Sequence, residues 1–510
     1  MKRILAVLFM VAATSAFAQT TFKVVKTNAG LISGTVSEDE SVHIFKGIPF
    51  AAPPVGELRW KAPQPVKPWA GVKDCSRFAK SPMQGKPNEF GVYTREFLIK
   101  DEPLSEDCLY LNVWTGAKSP AERRPVMVWI YGGGFVSGGT NVPIYDGEAL
   151  AKKGIILVSI PYRVGIFGFF AHPELTKESP NHASGNYGLM DQLAALKWVK
   201  ANIAAFGGDP GNVTIAGQSA GSYGVNYLVA SPLAKGYFNK AIAESGAHML
   251  PGKGSGVSLA EAEKGGLAAA TELHAATLTD LRKLPADELL KQNNFRPIID
   301  GYLLPMVPAD IFAANKESQV PLLTGWNEDD AFMGNIKNAV DYTAGINKRF
   351  GARAAEVLKL YPGTTGAEAE RSQIRMSRDQ MFGVQNYSWA NQQSAKNKAK
   401  VYLYRFTRRL PATADFKKYG AFHTGEVAYV FDNLKFLNRR FEPVDHALAN
   451  TISQYWVNFV KTGNPNGNGL PEWPAYNRTT AKTMYLGEKP GAKTLADKAA
   501  LEFTVRDMTK

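Results

Sequence analysis

The chain has 510 residues, 45% of them hydrophobic, with 59 Lys and Arg against 46 Asp and Glu for a formal charge of +13. That length and hydrophobic share exclude a disordered chain and allow a large buried core. The basic residues are scattered, densest at Arg405, Arg408-Arg409, Lys417-Lys418 and Arg439-Arg440, with no aromatic-interleaved motif. They read as a solvated surface and not as a nucleic-acid face.

In chain order, the first element is a targeting segment. Lys2 and Arg3 precede an apolar run from Ile4 to Ala13 and a small-x-small site at Ala16-Phe17-Ala18, the pattern of a leader over residues 1–18. The run is too short to span a bilayer, and no cysteine follows the cleavage site, so no stable membrane anchor is expected. The mature chain is expected to start near Gln19 and to be exported, to the periplasm or the medium. Residues 19–510 show no linker, repeat or low-complexity stretch, so one catalytic domain with insertions is expected there. Cys75 and Cys108 are the chain's two cysteines. In an exported protein such a pair reads as a disulfide, the alternative being two buried free thiols.

Short apolar runs bounded by glycine or proline predict strands at Val126 to Tyr131, Ile155 to Ile160, Val213 to Ala216, Ala241 to Ala243, Pro321 to Thr324 and Val401 to Phe406. Asp191 to Phe206 has helical spacing, with Leu193, Leu196, Val199 and Ile203 on one face, and stops at Gly207-Gly208. Ser222 to Val229 reads as the start of another helix. Strands without polar alternation, interleaved with helices, predict an α/β architecture with a mostly parallel sheet covered on both faces. Residues 250 to 395 are richer in helical patterns and are expected to hold insertions that wall a pocket.

The most informative stretch is Gly217-Gln218-Ser219-Ala220-Gly221, set between a predicted strand and a predicted helix. A strand turning sharply into a helix needs residues without bulk beside the turn, and the two glycines leave Ser219 exposed at the tip. A serine hydroxyl needs a base, and the base needs an orienting acid. Of seven histidines, two follow the predicted acid region in the order serine, acid, histidine. His446 follows Asp445, read as a helix N-cap, and heads a helix to Val460, so it reads as structural. His423 lies in the loop Gly420 to Glu426 beyond a strand, where such sheets place their sites, and is the expected base. The acid is expected after Pro321 to Thr324, where Glu328, Asp329 and Asp330 stand in a row; periodicity does not choose among them. Gly132-Gly133-Gly134 after Tyr131 bares the backbone for an oxyanion hole, with Ala220 supplying a third N–H. A phosphate cradle is the rival reading, but neither a Gly-Lys-Ser/Thr ending nor a dinucleotide fingerprint is present.

Phe45 to Ala51, Pro53 to Trp60, Glu106 to Val113, Phe206 to Pro210 with Val213 to Gly221, and the His423 loop with Glu426 and Tyr429-Val430-Phe431 together resemble the type-B carboxylesterases, the cholinesterase-like branch of the α/β-hydrolases. The resemblance covers nearly the whole mature chain. It implies an α/β-hydrolase fold, with a mostly parallel sheet flanked by helices and helical insertions around the site. It also implies Ser219 as nucleophile, His423 as base, and Gly133, Gly134 and Ala220 as oxyanion hole. Cys75 with Cys108 would match the family's first disulfide, and Arg59 with Glu106 and Arg163 with Asp191 its buried ion pairs. Two positions depart. Asn327-Glu328-Asp329-Asp330-Ala331 stands where the family has Asn-x-Asp-Glu-Gly, so Asp330 is the expected acid and Glu328 the fallback. Tyr131 replaces a frequent histidine.

These residues point to a serine ester hydrolase working through an acyl-enzyme on a small-molecule ester. Gln218 stands where a cholinesterase has glutamate, and the span from Cys75 to Cys108 has no tryptophan, so neutral or anionic esters are expected and choline esters are not. A non-catalytic binding or adhesion protein on the same fold is the competing class; an esterase for lipids, plant phenolic esters or polyesters is the other alternative. No His-Glu-x-x-His or paired Cys-x-x-Cys is present, so no metal or cofactor is expected.

Overall fold

The predicted apolar runs become the middle of one eleven-stranded sheet. Its strands in chain order are β1 (Thr35–Val36), β2 (His43–Pro49), β3 (Tyr110–Thr115), β4 (Arg124–Ile130), β5 (Ile156–Ile160), β6 (Gly208–Gln218), β7 (Lys240–Glu244), β8 (Leu322–Asn327), β9 (Val401–Phe406), β10 (Lys482–Leu486) and β11 (Gly491–Thr494). The computed structural model describes residues 22–100, 103–250, 256–292, 294–331, 338–396, 398–413 and 417–509. The leader expected at 1–18 lies outside the described residues.

Across the sheet the order is β11-β10-β9-β8-β7-β6-β4-β5-β3-β2-β1. Every neighbour pair from β10 to β5 is parallel, and the strands outside that block pair antiparallel. β5, β7, β8 and β9 are buried along their whole length, as parallel strands covered on both faces must be. β4 feeds β5 on one side, and β6 returns on the other. The strand order therefore reverses at the C-terminal ends of β4 and β6, the place where open α/β sheets form their crevice.

The helices needed to describe the site are α1 (Tyr187–Asn202), α2 (Ala220–Ala230), α3 (Gly366–Arg378), α4 (Val384–Ala395), the short α5 (Val427–Val430), α6 (Pro443–Thr462) and α7 (Lys498–Met508). α1 starts a turn earlier than its periodicity predicts, because Tyr187, Gly188 and Leu189 are buried as well. α6 also starts earlier: its N-cap is Glu442, and Asp445 closes a capping box from the third position, where sequence suggested it as the cap itself. Apart from β8, the regular elements from 256 to 395 are helices.

Both expected ion pairs are present. Arg59 clasps Glu106 at 2.6 and 2.7 Å and also donates to the carbonyls of Arg282 and Leu284. Arg163 clasps Asp191 at 2.8 Å through two nitrogens in a fully buried pair. The expected disulfide is corrected: Cys75 and Cys108 are both free and buried. The Cys75 thiol donates to the Gly47 carbonyl. Cys108 sits beside Arg59, Glu106 and Arg163. Burial pushes the Cys75 thiol up to about 12 and the Cys108 thiol well above its ordinary value, so neither is held as a thiolate.

Candidate active site

Ser219 occupies the turn between β6 and α2 with φ 56° and ψ −124°, a conformation that non-glycine residues rarely hold. The glycines on either side make that turn sterically possible. A methyl at Gly221 would lie 1.9 Å from the Ile130 carbonyl oxygen, and one at Gly217 would lie 2.5 Å from the Gly221 carbonyl carbon. The Ser219 N–H donates to the backbone carbonyl of Glu244 on the neighbouring strand at 2.9 Å, which fixes the turn against β7.

Gly132-Gly133-Gly134 leaves the end of β4 and runs against the serine. A methyl at Gly132 would lie 2.9 Å from Ser219 Cβ, and one at Gly133 would lie 2.2 Å from the Ser137 carbonyl oxygen. Gly133 has φ +117° and Gly134 φ +62°. No acceptor among the described residues takes the N–H of Gly133 or Gly134. Ala220 opens α2, so its N–H is one of those that the helix leaves unpaired. Tyr131, just before the triplet, turns away: its ring stacks on Tyr162 at 4.5 Å and its hydroxyl donates to the Tyr162 carbonyl.

The run of carboxylates after β8 divides into distinct roles. Glu328 accepts from Arg378 and Arg405, guanidinium groups that also bind Asp497. Asp329 accepts the Ala421 N–H at 2.8 Å, and its own N–H donates to the Ala421 carbonyl at 3.0 Å, so it ties down the histidine loop. Asp330 is fully buried and meets His423, Oδ1 to Nδ1, at 2.5 Å. Its other oxygen accepts from Ser245 Oγ at 2.6 Å and from the Asn327 N–H at 3.0 Å.

The His423 ring is also held face-on. Phe382 stacks on it with centroids 4.5 Å apart and planes 11° from parallel. Gln218 Nε2 lies 3.2 Å from Nε2 and 3.4 Å from Nδ1; a donor that near to both nitrogens sits off the ring plane. Tyr93 anchors the backbone by donating to the His423 carbonyl at 2.7 Å. Ser219 and His423 share no hydrogen bond in this arrangement. Burial drives the imidazole toward its neutral form, but the charge and hydrogen bond of Asp330, with Glu426 adding, outweigh it and raise His423 above its ordinary value. His446, by contrast, is exposed on α6 beside Phe441.

Phe382, Ser245, Glu244 and Tyr93 escaped the sequence reading as site residues. Phe382 sits in a π turn, Asp379–Gly383, between α3 and α4; one extra residue per turn erases the helical spacing that would have pointed to it. Ser245 follows β7 directly, and its place at a strand's C-terminal end is a signal that could have found it. Among the described residues no group of three or more His, Cys, Asp or Glu could hold a metal ion, and no helix is long and apolar enough to cross a membrane.

The Carboxylesterase family model matches residues 21–504. Fumonisin B1 esterase from Sphingopyxis macrogoltabida is 37% identical over 495 residues, covering 91% of this chain and 86% of that protein. Para-nitrobenzyl esterase from Bacillus subtilis is 38% identical over 492 residues, covering 91% and 95%. A solved structure of PNB esterase superposes with a TM-score of 0.78 at 33% identity, covering 95% of this chain and 100% of its own. With an α/β-hydrolase sheet, a strained serine at its crossover and matches of this extent, the chain belongs to the carboxylesterase family and is a type-B carboxylesterase.

Proposed function

We propose that this carboxylesterase works through Ser219, His423 and Asp330 by way of an acyl-enzyme. The observation that carries the reading is the 2.5 Å contact between His423 Nδ1 and the buried Asp330 carboxylate, at the sheet edge where Ser219 is presented. Asp330 fixes the tautomer with the proton on Nδ1, leaving Nε2 to take the serine's proton. Catalytic hydrogen bonds of this kind are often long or misaligned before substrate binds and tighten in the complex.

Ser219 Oγ attacks the ester carbonyl as its proton passes to His423 Nε2. The carbonyl's electron pair moves onto oxygen, which the N–H groups of Gly133, Gly134 and Ala220 receive. Collapse breaks the bond to the alkoxy oxygen, and the imidazolium returns the proton to the departing alcohol. Water then attacks the acyl-serine by the same route, with His423 again as base, and releases the acid. Phe382 and Gln218 hold the ring in place through both halves.

Neutral or anionic esters suit the site. Gln218 places an uncharged amide beside the nucleophile, and the span from Cys75 to Cys108 lacks a tryptophan to stack on a quaternary ammonium. The relatives named for fumonisin B1 and para-nitrobenzyl esters support the same direction. A non-catalytic binding role is disfavoured by a complete set of nucleophile, base and acid. The decisive experiment is Ser219→Ala: p-nitrophenyl ester hydrolysis and covalent labelling by an organophosphate should both vanish, and retention of either would overturn the reading. Export after cleavage near Ala18 is a separate proposal resting on residues 1–18. N-terminal sequencing of protein from whole cells should begin near Gln19; an intact Met1 overturns it.

A further inference from the structure

Behind the His423–Asp330 pair lies a second pair of buried carboxyl groups that the mechanism above does not use. Gln218, Glu244, Gly325 and Tyr404 stand in one register across β6, β7, β8 and β9. Glu426 reaches the same place from the turn after His423. Its Oε2 accepts from Asn327 Nδ2 at 2.5 Å, while Glu244 Oε1 accepts from Trp456 Nε1 of α6 at 2.7 Å. The remaining oxygens, Glu426 Oε1 and Glu244 Oε2, are buried and have no partner among the described residues, as has the Tyr404 hydroxyl. Glu244 is 0% exposed and Glu426 1%.

The charge balance of this space is unusual. Among the described residues, the ionisable groups facing it are Asp330 and His423 from the loops after β8 and β9, Glu244 from β7, Tyr404 from β9, and Tyr145 and Tyr93 from the covering loops. None is a lysine or an arginine. Burial raises all three tyrosines, so they stay neutral. Asp330, Glu244 and Glu426 cannot all be ionised with a single imidazole as counter-charge. Asp330 takes two hydrogen bonds from donors besides His423, whereas Glu426 and Glu244 each leave one buried oxygen without a donor among the described residues. The proton must reside on the other two.

We propose that Glu244 and Glu426 hold one proton between them, and that Glu426, the nearer to His423, is a positioning residue whose share of the remaining negative charge sets the basicity of the imidazole. The proposal rests on His423 being the base. Desolvation raises both carboxyls, Glu426 to about 7, and each also feels another carboxylate. Because the pair titrates as a unit, its proton belongs to neither residue alone.

Sharing predicts opposite effects from removing either member. Without Glu426, the charge retreats to Glu244 and His423 becomes less basic. Without Glu244, Glu426 keeps the whole charge beside the ring and His423 becomes more basic. The acid limb of kcat/KM for p-nitrophenyl acetate should therefore move down by about one pH unit in Glu426→Gln and up by a similar amount in Glu244→Gln. Shifts of the same sign, or none, in folded variants overturn the proposal, since a merely structural role has no reason to split them. If either variant fails to fold, infrared spectroscopy of the wild-type enzyme at neutral pH decides. A buried protonated-carboxyl stretch that persists at neutral pH, where ordinary carboxyls are ionised, is expected; its absence overturns the proposal. That measurement needs no turnover, so its outcome is independent of Ser219→Ala, which tests the triad itself.

Discussion

The two halves of the site are built from different materials. On the nucleophile side, β6, α2 and the glycine triplet place their groups by backbone alone: Ser219 is held by a positive φ, a main-chain hydrogen bond and missing side chains at 132, 217 and 221. On the base side, the loops after β8 and β9 place theirs by side chains. Asp330, Ser245, Asn327, Phe382, Gln218 and Tyr93 all touch His423 or its acid. A site built by absence fails when an atom is added. A site built by contact fails when a charge or a ring is removed.

The largest effect should come from removing a charge on the base side. Asp330→Asn should lower kcat by about 10⁴-fold with the fold retained, since the wrong tautomer is then favoured. Glu328→Gln, which only loosens the Arg378 and Arg405 network, should leave kcat within a few-fold while lowering the melting temperature. The reverse pattern in steady-state kinetics would move the acid from Asp330 to Glu328.

On the nucleophile side, adding a carbon at a glycine should act on stability. Gly221→Ala pushes a carbon against the Ile130 carbonyl, and overpacking of that kind costs about 3 kcal/mol. Denaturant unfolding should show it; an unchanged midpoint would mean the elbow yields and the contrast between the halves is weaker than drawn. A smaller loss is expected for Phe382→Ala, which gives up one stacked aromatic contact, about 1 kcal/mol or up to tenfold in kcat. The smallest effect is one of pH. As the proposed base, His423 would have to be neutral to act, and its pKa is raised above 6.5, so the acid limb of kcat/KM should fall above 6.5, with activity lost as pH drops through it. A limb below 6.5 would mean that desolvation outweighs Asp330.

The same contrast explains what was legible beforehand. The nucleophile side is local in sequence: two glycines, a serine and a glycine triplet each carry their constraint within a few residues, and the strands around them were found to within a few positions. Six of the eleven strands were read from sequence; β1, β2, β3, β10 and β11 were not, β6 begins five residues before its predicted start, and the early starts of α1 and α6 follow from burial that periodicity does not encode. The base side is long-range. Residue spacing left Glu328, Asp329 and Asp330 equivalent, because what separates them are Arg378, Ala421 and His423, residues 50, 92 and 93 positions away. Resemblance named Asp330 where spacing could not. Phe382 left no trace, because its π turn breaks the helical period. The cysteines misled for a related reason: an even count speaks to compartment and not to where each thiol points, and Cys75 points at Gly47.

Glu244 belongs to both halves at once. Its carbonyl receives the Ser219 N–H, and its side chain lies with Glu426 behind the base. The consequence concerns where the chain tolerates being cut. A circular permutant reopened at the exposed Lys235-Gly236 turn leaves β7 intact, and both halves keep their shared support. One reopened at Gly246, two residues past Glu244, frees the strand end on which both halves hang, so nucleophile and base should lose their alignment together.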